Sequence, residues 1–226
     1  MRILIAFTNY NRLRVSKYCA YQLFKSKSKD DRMVVYDDLS DEYNPVDVFK
    51  DRCDELAISV KRQGIHAQRR SNIKDFIERY TDYTHLYFTD NDALHDCAWR
   101  KKLYENEFSQ YIVGLYNSPC HLNQQYQLGG NKEMVNRLYC PGISMLINRD
   151  MAKMCYDRLE EIQNWDFDIS RIIGVSAMIT ITSYVEHIGG GGLHSAPNDF
   201  ERDRAISPTD WLKSKRKSLL KKLLTK

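Results

Sequence analysis

Two aspartates separated by one residue follow a short apolar run near the middle of the 226-residue chain. Residues 85–90, HLYFTD, have the length and apolar content of a buried strand, and Asp90 and Asp92 stand at its end. Two carboxylates in this position can face one hard cation, and Mg²⁺ or Mn²⁺ held in this way keeps open positions for phosphate oxygens. The pair therefore indicates a cation site that would neutralise a leaving diphosphate. A solvated turn, with one aspartate at the start of a helix, is the alternative.

The segments before this pair alternate between strand and helix patterns. Strands are predicted at 2–8, 33–36, 58–60 and 85–90, and helices at 15–25, 45–57 and 67–80. Such alternation predicts an α/β fold with a mostly parallel sheet covered by helices on both faces. Polar clusters end three of the strands, at 9–12, 37–38 and 90–92. Because ligands of such sheets bind at the carboxyl ends of the strands, we expect one shared site at this edge.

The second half of the chain continues the pattern less regularly. Strands are predicted at 111–116, 142–147 and 177–185, and helices at 149–162 and 168–175. Residues 188–199, IGGGGLHSAPND, predict a loop, because four consecutive glycines hold a helix or strand only at a large entropy cost. The sequence contains no apolar run of about 18 residues or more, so it predicts no membrane span. The first residues predict a strand rather than a signal peptide.

Four short motifs follow one another in a fixed order. Strand one ends in FTNYNR, strand two ends in VYDDLSDE, GIHAQR leads into the helix at 67–80, and TDND ends the fourth strand. Over residues 2–92 this order resembles the GT-A glycosyltransferases, in particular the large inverting family-2-like enzymes. The resemblance implies one Rossmann-like, nucleotide-diphospho-sugar transferase domain over residues 1–207, with a mixed, mostly parallel sheet. Residues 1–92 would bind the nucleotide sugar, and residues 93–207 would bind the acceptor.

The resemblance also implies roles for individual residues at the predicted edge. Asp37 or Asp38 would accept a hydrogen bond from the base or ribose. Arg69 would meet the base or the diphosphate, whose oxygens a guanidinium matches well. From the residues alone, the two acids also fit turn chemistry, and Arg69 also fits a charge on the surface of a helix. The residues that would line the nucleotide are Thr8, Asn9 and Arg12.

A second acidic segment, NWDFDIS at 164–170, stands where the resembled family has an acid-rich segment that supplies the catalytic base. Asp166 would deprotonate the acceptor hydroxyl as it attacks the anomeric carbon, and Asp168 would be a second catalytic acid that orients the acceptor. Trp165 stands where the family has a glutamate. The alternative is that one aspartate, Asp168 before Asp166, serves the start of the helix.

A histidine follows the last predicted strand, in the segment SYVEHIGGGGLHS. In several GT-A enzymes a histidine in this place completes the metal shell or touches the diphosphate. His187 would therefore join Asp90 and Asp92 as a metal ligand, and His187 and Asp90 would also contact the donor. Neutral imidazole suits Mn²⁺ better than Mg²⁺, and the glycines would form a lid whose amides approach phosphate. A structural histidine is the alternative for His187, and His194 is a weaker candidate.

The end of the chain is strongly basic. Residues 213–226 hold seven Lys and Arg residues and no acid, so the rest of the chain has a net charge of −3 against +4 for the whole. As a helix, the tail at 208–226 would be amphipathic, with leucines on one side and lysines elsewhere. It suits an anionic membrane surface or the phosphates of a nucleic acid. A packing helix is the alternative.

These expectations describe a metal-dependent glycosyltransferase that uses a nucleotide sugar, with a UDP-sugar favoured, and Mn²⁺ or Mg²⁺. The expected acceptor is a hydroxyl of a bacterial surface glycan, of lipopolysaccharide or capsule type, or of a lipid-linked saccharide, and the expected stereochemistry is inversion. A phage-type enzyme that glycosylates modified bases of DNA is the alternative acceptor class. A nucleotidyltransferase is a further alternative, although FTNYNRLR is not the glycine- and lysine-containing phosphate loop that such an enzyme needs.

Cysteine usage bears on the compartment. The six cysteines are widely spaced and form no C-x-x-C pair, which favours free thiols over disulfides. Together with the missing signal peptide, this predicts a cytoplasmic protein, with peripheral attachment to the inner face of the membrane through the basic tail.

Overall fold

The chain forms one large mixed sheet with helices on both faces and a second, two-stranded sheet. The computed structural model describes residues 1–105, 110–118, 133–189 and 204–224, with side chains up to residue 218. The strands among these residues are β1 (Ile3–Asn9), β2 (Arg32–Asp37), β3 (Glu55–Ile58), β4 (His85–Asp90), β5 (Ala93–His95), β6 (Ile112–Gly114), β7 (Met134–Arg137), β8 (Ser144–Asn148), β9 (Ala177–Thr180) and β10 (Val185–His187). The α-helices are α1 (Leu13–Ser26), α2 (Pro45–Phe49), α3 (Ile65–Glu78), α4 (Trp99–Glu105), α5 (Arg149–Tyr156), α6 (Trp165–Ile173) and α7 (Asp210–Leu224).

The large sheet has the strand order β3-β2-β1-β4-β8-β6-β9-β7. β1 pairs in parallel with β2 and β4, and β2 pairs in parallel with β3. β8 is antiparallel to β4 and β6, β6 is parallel to β9, and β7 is antiparallel to β9. The predicted α/β fold with a mixed, mostly parallel sheet is confirmed.

The first strand shows why the sheet forms the middle layer. Every residue of Ile3–Asn9 is buried. Ile3 and Ile5 pack into one apolar cluster, while Leu4 and Ala6 pack into a second. Successive side chains of a strand point to opposite faces, so the two clusters lie on opposite faces of the sheet. A strand buried on both faces needs a continuous apolar run, which is the signal that predicted it.

Several predicted elements have different bounds in the structure. The helix expected at 45–57 ends at Phe49, and β3 begins at Glu55, three residues before the expected strand. Pro45 in the first turn and the Asn44 cap set the start of α2, as the residues favour. The strand expected at 177–185 is two strands, β9 and β10, and β10 pairs antiparallel with β5. β5 has only three residues, too few for a sequence pattern to predict it.

The C-terminal helix α7 is packed on the body over its first two turns. Leu212 is fully buried, and Arg216 is only 7% exposed. Just before the helix, the Thr209 hydroxyl donates to Asp96 Oδ2 at 2.6 Å. The packed body therefore extends at least to Arg216, beyond the boundary predicted after residue 207.

Three expectations from the sequence can be compared with the structure over only part of the chain. Among the described residues, no helix combines the length and apolar character that crossing a membrane requires. The cysteines that the structure describes carry free thiols, as predicted for them: Cys19, Cys53, Cys97, Cys140 and Cys155. Cys120, His194 and most of the glycine-rich segment lie outside the described residues.

Candidate functional site

The polar ends of β1, β2 and β4 meet at one edge of the sheet. Thr8 pairs with Tyr36 on one side and with Asp90 on the other, and Asn9 pairs with Asp37. The three polar clusters at the strand ends are therefore neighbours, because parallel strands bring their carboxyl ends to the same edge. The Thr8 hydroxyl is buried and makes no hydrogen bond within the described part of the chain. This edge thus holds a buried polar group for which the described residues provide no hydrogen-bond partner.

Asp92 connects the loop after β1 to β10. Its Oδ2 accepts a hydrogen bond from Arg12 Nη1 at 2.6 Å and lies 3.0 Å from His187 Nε2. Burial acts to raise the pKa of Asp92, but the charges and hydrogen bonds of His187 and Arg12 outweigh burial and lower the pKa well below its ordinary value. The carboxylate is therefore ionised at neutral pH, as a cation ligand must be.

Gly189 makes the close approach of the glycine-rich segment to this carboxylate possible. A Cβ atom at position 189 would lie 2.0 Å from Asp92 Oδ2 and 2.8 Å from His187 Nε2. The Ile188 amide donates to the Asp92 carbonyl oxygen at 3.0 Å, which holds the segment in place. The sequence interpretation of the glycines as a lid did not include this need for a position without a side chain.

Asp90 lies at the same edge and forms an ion pair with Arg69. The Asp90 side chain is 29% exposed, whereas that of Arg69 is fully buried. Burial raises the pKa of Asp90 to about 6, an effect that Arg69 opposes and the Asp92 charge reinforces. Arg69 also donates to the Thr89 carbonyl oxygen at 3.3 Å. Arg69 was expected to meet the base or diphosphate; it lies instead beneath Asp90 and supports that carboxylate.

Trp165 covers the Arg69 guanidinium. The Trp165 ring centre is 4.3 Å from Arg69 Cζ and 5.6 Å from the centre of the Phe88 ring. This is a cation–π contact in a buried setting, where such contacts are strong. The ring also fills the space beside Gly142, where a Cβ would lie 2.0 Å from Trp165 Cζ2. Since Trp165 directly precedes Asp166, this stack connects the end of β4 to the start of α6.

The two acids of α6 have different surroundings. Asp168 Oδ2 accepts from the amides of Gln163 and Asn164 at 2.8 and 2.6 Å, so it binds the backbone at the start of the helix, the alternative that the sequence left open. Asp166 is partly exposed, and its Oδ1 accepts from the Phe167 amide at 2.9 Å. Burial is the largest cause of the raised pKa of Asp90, and the charge of Asp166 is a smaller one. The two carboxylates are therefore close enough to interact electrostatically.

Asp37 and Asp38 bind the protein's own loops. Asp37 accepts from the Ser40 amide and hydroxyl at 2.8 and 2.6 Å. The two carboxylate oxygens of Asp38 accept from the amides of Gln63 and Gly64 at 2.7 and 2.8 Å. These contacts are the turn chemistry that the residue types also fit. The carboxylates therefore shape the loops beside β2, and each has partners before any ligand binds.

Asn91, between the two aspartates, is a site residue that the sequence interpretation missed. Its Nδ2 donates to Asn9 Oδ1 at 3.2 Å, to Ser16 Oγ at 2.9 Å and to the Tyr10 carbonyl oxygen at 3.1 Å. The amide thus ties the turn after β4 to the loop after β1, which carries Arg12. The one signal in the sequence is an amide side chain in the middle of the D-x-D motif.

No family model matches the chain, and no curated protein matches it in sequence. Solved structures do match. GalNAc-T7 with UDP, GalNAc and Mn²⁺ has a TM-score of 0.58 at 10% identity. The mannosyltransferase PcManGT from Pyrobaculum calidifontis, in complex with GDP-Man and Mn²⁺, has a TM-score of 0.57 at 13% identity. S. aureus TarS has a TM-score of 0.55 at 12% identity.

These matches cover most of this chain and a smaller share of the others. They cover 80, 85 and 82% of this chain, which spans 42, 58 and 36% of the lengths of GalNAc-T7, PcManGT and TarS. At such low identity the likeness establishes the fold, and the fold is that of the GT-A glycosyltransferases. The fold expected from the order of the four motifs is thereby confirmed.

Proposed function

We propose that the chain is a metal-dependent glycosyltransferase that moves a sugar from a nucleotide-sugar donor to a hydroxyl acceptor. One observation carries the proposal: on a GT-A fold, Asp90, Asp92 and His187 gather at the carboxyl edge of the sheet, and the partly exposed Asp166 lies within electrostatic range of Asp90. Sugar transfer needs carboxylates that bind a cation and a separate carboxylate that accepts the proton of the acceptor hydroxyl. This edge of the sheet provides both.

The residues present fit a divalent cation. Asp92 is ionised and shares contact with His187, Asp90 is partly exposed beside them, and Gly189 leaves the space next to both Asp92 and His187 free of a side chain. Among the described residues, no group of three or more His, Cys, Asp and Glu side chains is placed to hold a metal ion, and the contact between Asp92 and His187 is the pair from which the proposed site would form. A small ligand set agrees with Mn²⁺ or Mg²⁺, which leave positions for substrate phosphates and water. The bound cation would neutralise charge on the diphosphate leaving group.

A nucleoside diphosphate sugar is the donor class that the loop after β1 suits. Arg12, 24% exposed, is the cation nearest to Asp92 and can turn towards a diphosphate. The partly exposed Tyr10 ring, with Arg62 Cζ 4.2 Å from its centre, offers an aromatic face to a base. Thr8, whose buried hydroxyl has no hydrogen-bond partner among the described residues, pairs with Asp90 at the same edge. UDP and GDP-Man are bound by two similar structures, and we propose a UDP-sugar for this chain.

Asp166 is the proposed general base. A base must be accessible and hold a carboxylate oxygen free for the acceptor hydroxyl, and Asp166 is partly exposed with only one oxygen in a described hydrogen bond. Asp168 is occupied by two backbone amides and keeps the start of α6 in place. Removal of the acceptor proton by a single carboxylate, on the side opposite the leaving group, corresponds to inversion.

The acceptor is proposed from the basic helix. Lys213 and Lys217 are exposed on α7, whereas Leu212 and Arg216 face the body. An exposed basic face suits an anionic membrane surface, where the acceptors would be lipid-linked saccharides or surface glycans. DNA with modified bases is the alternative acceptor, and it would need the same lysines for phosphates.

A donor-hydrolysis screen tests the proposed function. The chain would be incubated with UDP-, GDP-, CMP- and dTDP-sugars and Mn²⁺, and released nucleotide would be measured with and without chelator. We expect metal-dependent hydrolysis of one donor, with most activity lost in Asp92→Asn and kept in Asp150→Asn. Asp150 is a matched control because its side chain is 92% exposed on α5. Turnover of Asp92→Asn in chelator-treated buffer close to that of the wild type with Mn²⁺ would refute the metal site.

A further inference from the structure

Glu186 is a buried carboxylate that the proposed chemistry does not use. It lies in β10 directly before His187, and because successive strand residues point to opposite faces, Glu186 points into the body while His187 faces Asp92. The Glu186 side chain is fully buried. Its Oε1 accepts from the Ala205 amide at 3.1 Å, and its Oε2 makes no hydrogen bond with the described residues.

The cation that faces Glu186 from within the protein comes from α7. Arg216 Nη1 lies 3.6 Å from Glu186 Oε1, and the Arg216 side chain is 9% exposed. The charge of Arg204 also reaches Glu186, but Arg204 is exposed, so solvent screens it. Removing the counter-charge of a buried carboxylate is strongly unfavourable. We expect the strand that carries the carboxylate to shift so that the charge is better solvated.

Movement of β10 would reach the proposed metal ligands directly. β10 pairs with β5 in the register His187 with Ala93 and Glu186 with Leu94. Because β5 begins immediately after Asp92, the two-stranded sheet carries Asp92 at one corner and His187 beside it. A shift of Glu186 is therefore transmitted to His187 along the strand and to Asp92 across the pair.

The position of α7 does not depend on Arg216 alone. Leu212 is fully buried, and Trp211 packs against the same apolar cluster. Thr209 binds Asp96, and residue 208 forms an isolated bridge with Ser183. These contacts anchor the start of the helix, so a substitution of Arg216 can test the ion pair in a chain that keeps its fold.

We propose that Arg216 is a positioning residue of the proposed active site: through the buried carboxylate of Glu186, α7 sets the place of His187 beside Asp92. The inference rests on the proposed function for its catalytic meaning. It makes the C-terminal basic helix part of the site's support, with Lys213 and Lys217 outward and Arg216 inward.

The test compares Arg216→Met, Arg216→Lys and the double variant Glu186→Gln/Arg216→Met, with Lys217→Met as a matched control on the exposed face of the same helix. Mn²⁺ binding is titrated by electron paramagnetic resonance, and donor hydrolysis is measured against Mn²⁺ concentration. We expect Arg216→Met to weaken Mn²⁺ binding by about 10–100-fold, the usual effect of losing a group that orients a metal ligand. The donor KM at saturating Mn²⁺ should change little. The lysine variant and the double variant should recover, because the first keeps the charge and the second removes both.

A third readout separates this inference from the proposed function. In histidine-labelled protein, the His187 imidazole resonance, assigned with His187→Gln, should move in Arg216→Met and return in the double variant. An unmoved resonance with wild-type Mn²⁺ binding in Arg216→Met would overturn the positioning role. If the wild type shows no metal-dependent hydrolysis of any donor, the proposed function fails, and an unmoved His187 resonance in Arg216→Met would still overturn the positional link by itself.

Discussion

A single methyl group at position 189 should disrupt the acid site while leaving the fold intact. The Cβ of Gly189→Ala would lie 2.0 Å from Asp92 Oδ2 and 2.8 Å from His187 Nε2. The backbone of Gly189 is not in the left-handed region, which among the described glycines only Gly64 and Gly174 occupy. Alanine therefore fits the backbone, and the conflict is confined to the new methyl group and the side chains of Asp92 and His187.

The size of the effect follows from these distances. An ordinary contact between a carbon and an oxygen is about 3.4 Å, so the Asp92 carboxylate must move by more than about 1 Å, and a misplacement of that size costs about 10²-fold in rate. The movement also separates Asp92 from Arg12 and His187. With Arg12 partly exposed, losing these contacts costs about 1–2 kcal/mol, or about 2–8 °C in Tm for a chain of this length.

The assay compares turnover, Mn²⁺ affinity and Tm in Gly189→Ala with the same quantities in the wild type. We expect turnover to fall by about 10²-fold and Mn²⁺ affinity to fall with it. The control is the same substitution in an Asp92→Ala background, where the methyl group has no carboxylate to meet and should cost little further stability. Turnover within about twofold of the wild type, or an equal loss of Tm in both backgrounds, would refute the reasoning.

Three further predictions concern the other elements of the site. Asp166→Asn should lower kcat by about 10²–10⁴-fold with donor affinity little changed. Asp168→Asn should mainly lower Tm and have a small effect on kcat; a larger loss of kcat in Asp168→Asn than in Asp166→Asn would exchange their roles. Trp165→Leu removes the ring over Arg69 and should weaken Mn²⁺ binding through Asp90, and unchanged Mn²⁺ binding by titration would contradict this. Deletion of residues 219–226 removes three of the seven basic residues of the tail and should weaken co-sedimentation with anionic vesicles at low salt while donor hydrolysis persists; a preference of the full chain for duplex DNA over vesicles would favour the nucleic-acid acceptor.

The strands at the centre of the sheet could be predicted from the sequence. β1, β2 and β4 are buried on both faces and therefore appear as short apolar runs, and β4 was predicted at its observed bounds. Because parallel strands expose their ends at one edge, the meeting of Asn9, Asp37 and Asp90 could also be predicted. Short elements such as β5 could not, because three residues contain no measurable period.

The partners of the polar side chains were out of reach of the sequence. Whether Asp38 faces a ligand or the amides of residues 63–64 depends on a contact across 25 residues, which no local pattern encodes. The same holds for Arg69, whose place in α3 suggested a surface charge or a ligand contact. Its actual position, fully buried between Trp165 and Asp90, depends on the packing of three separate elements. Residue type indicates what a group can bind, and tertiary packing decides what it does bind.

The two arginines at the acid pair differ in a way that bears on how a donor could enter. Arg69 is fully buried under Asp90 and stacked on Trp165, so moving it would leave Asp90 without its counter-charge and open a void under the ring. Arg12 is partly exposed, at the left-handed residue that precedes α1, and can exchange Asp92 for another anion by rotating its side chain. Asp92 is therefore the carboxylate that can be released to a cation when a diphosphate attracts Arg12. Asp90 keeps its arginine throughout, and its side chain is 29% exposed. In the proposed function, Asp92 is therefore the acid that can exchange its arginine partner, and Asp90 is the acid that keeps it. This difference accounts for the different burial of the two arginines that pair with the D-x-D motif.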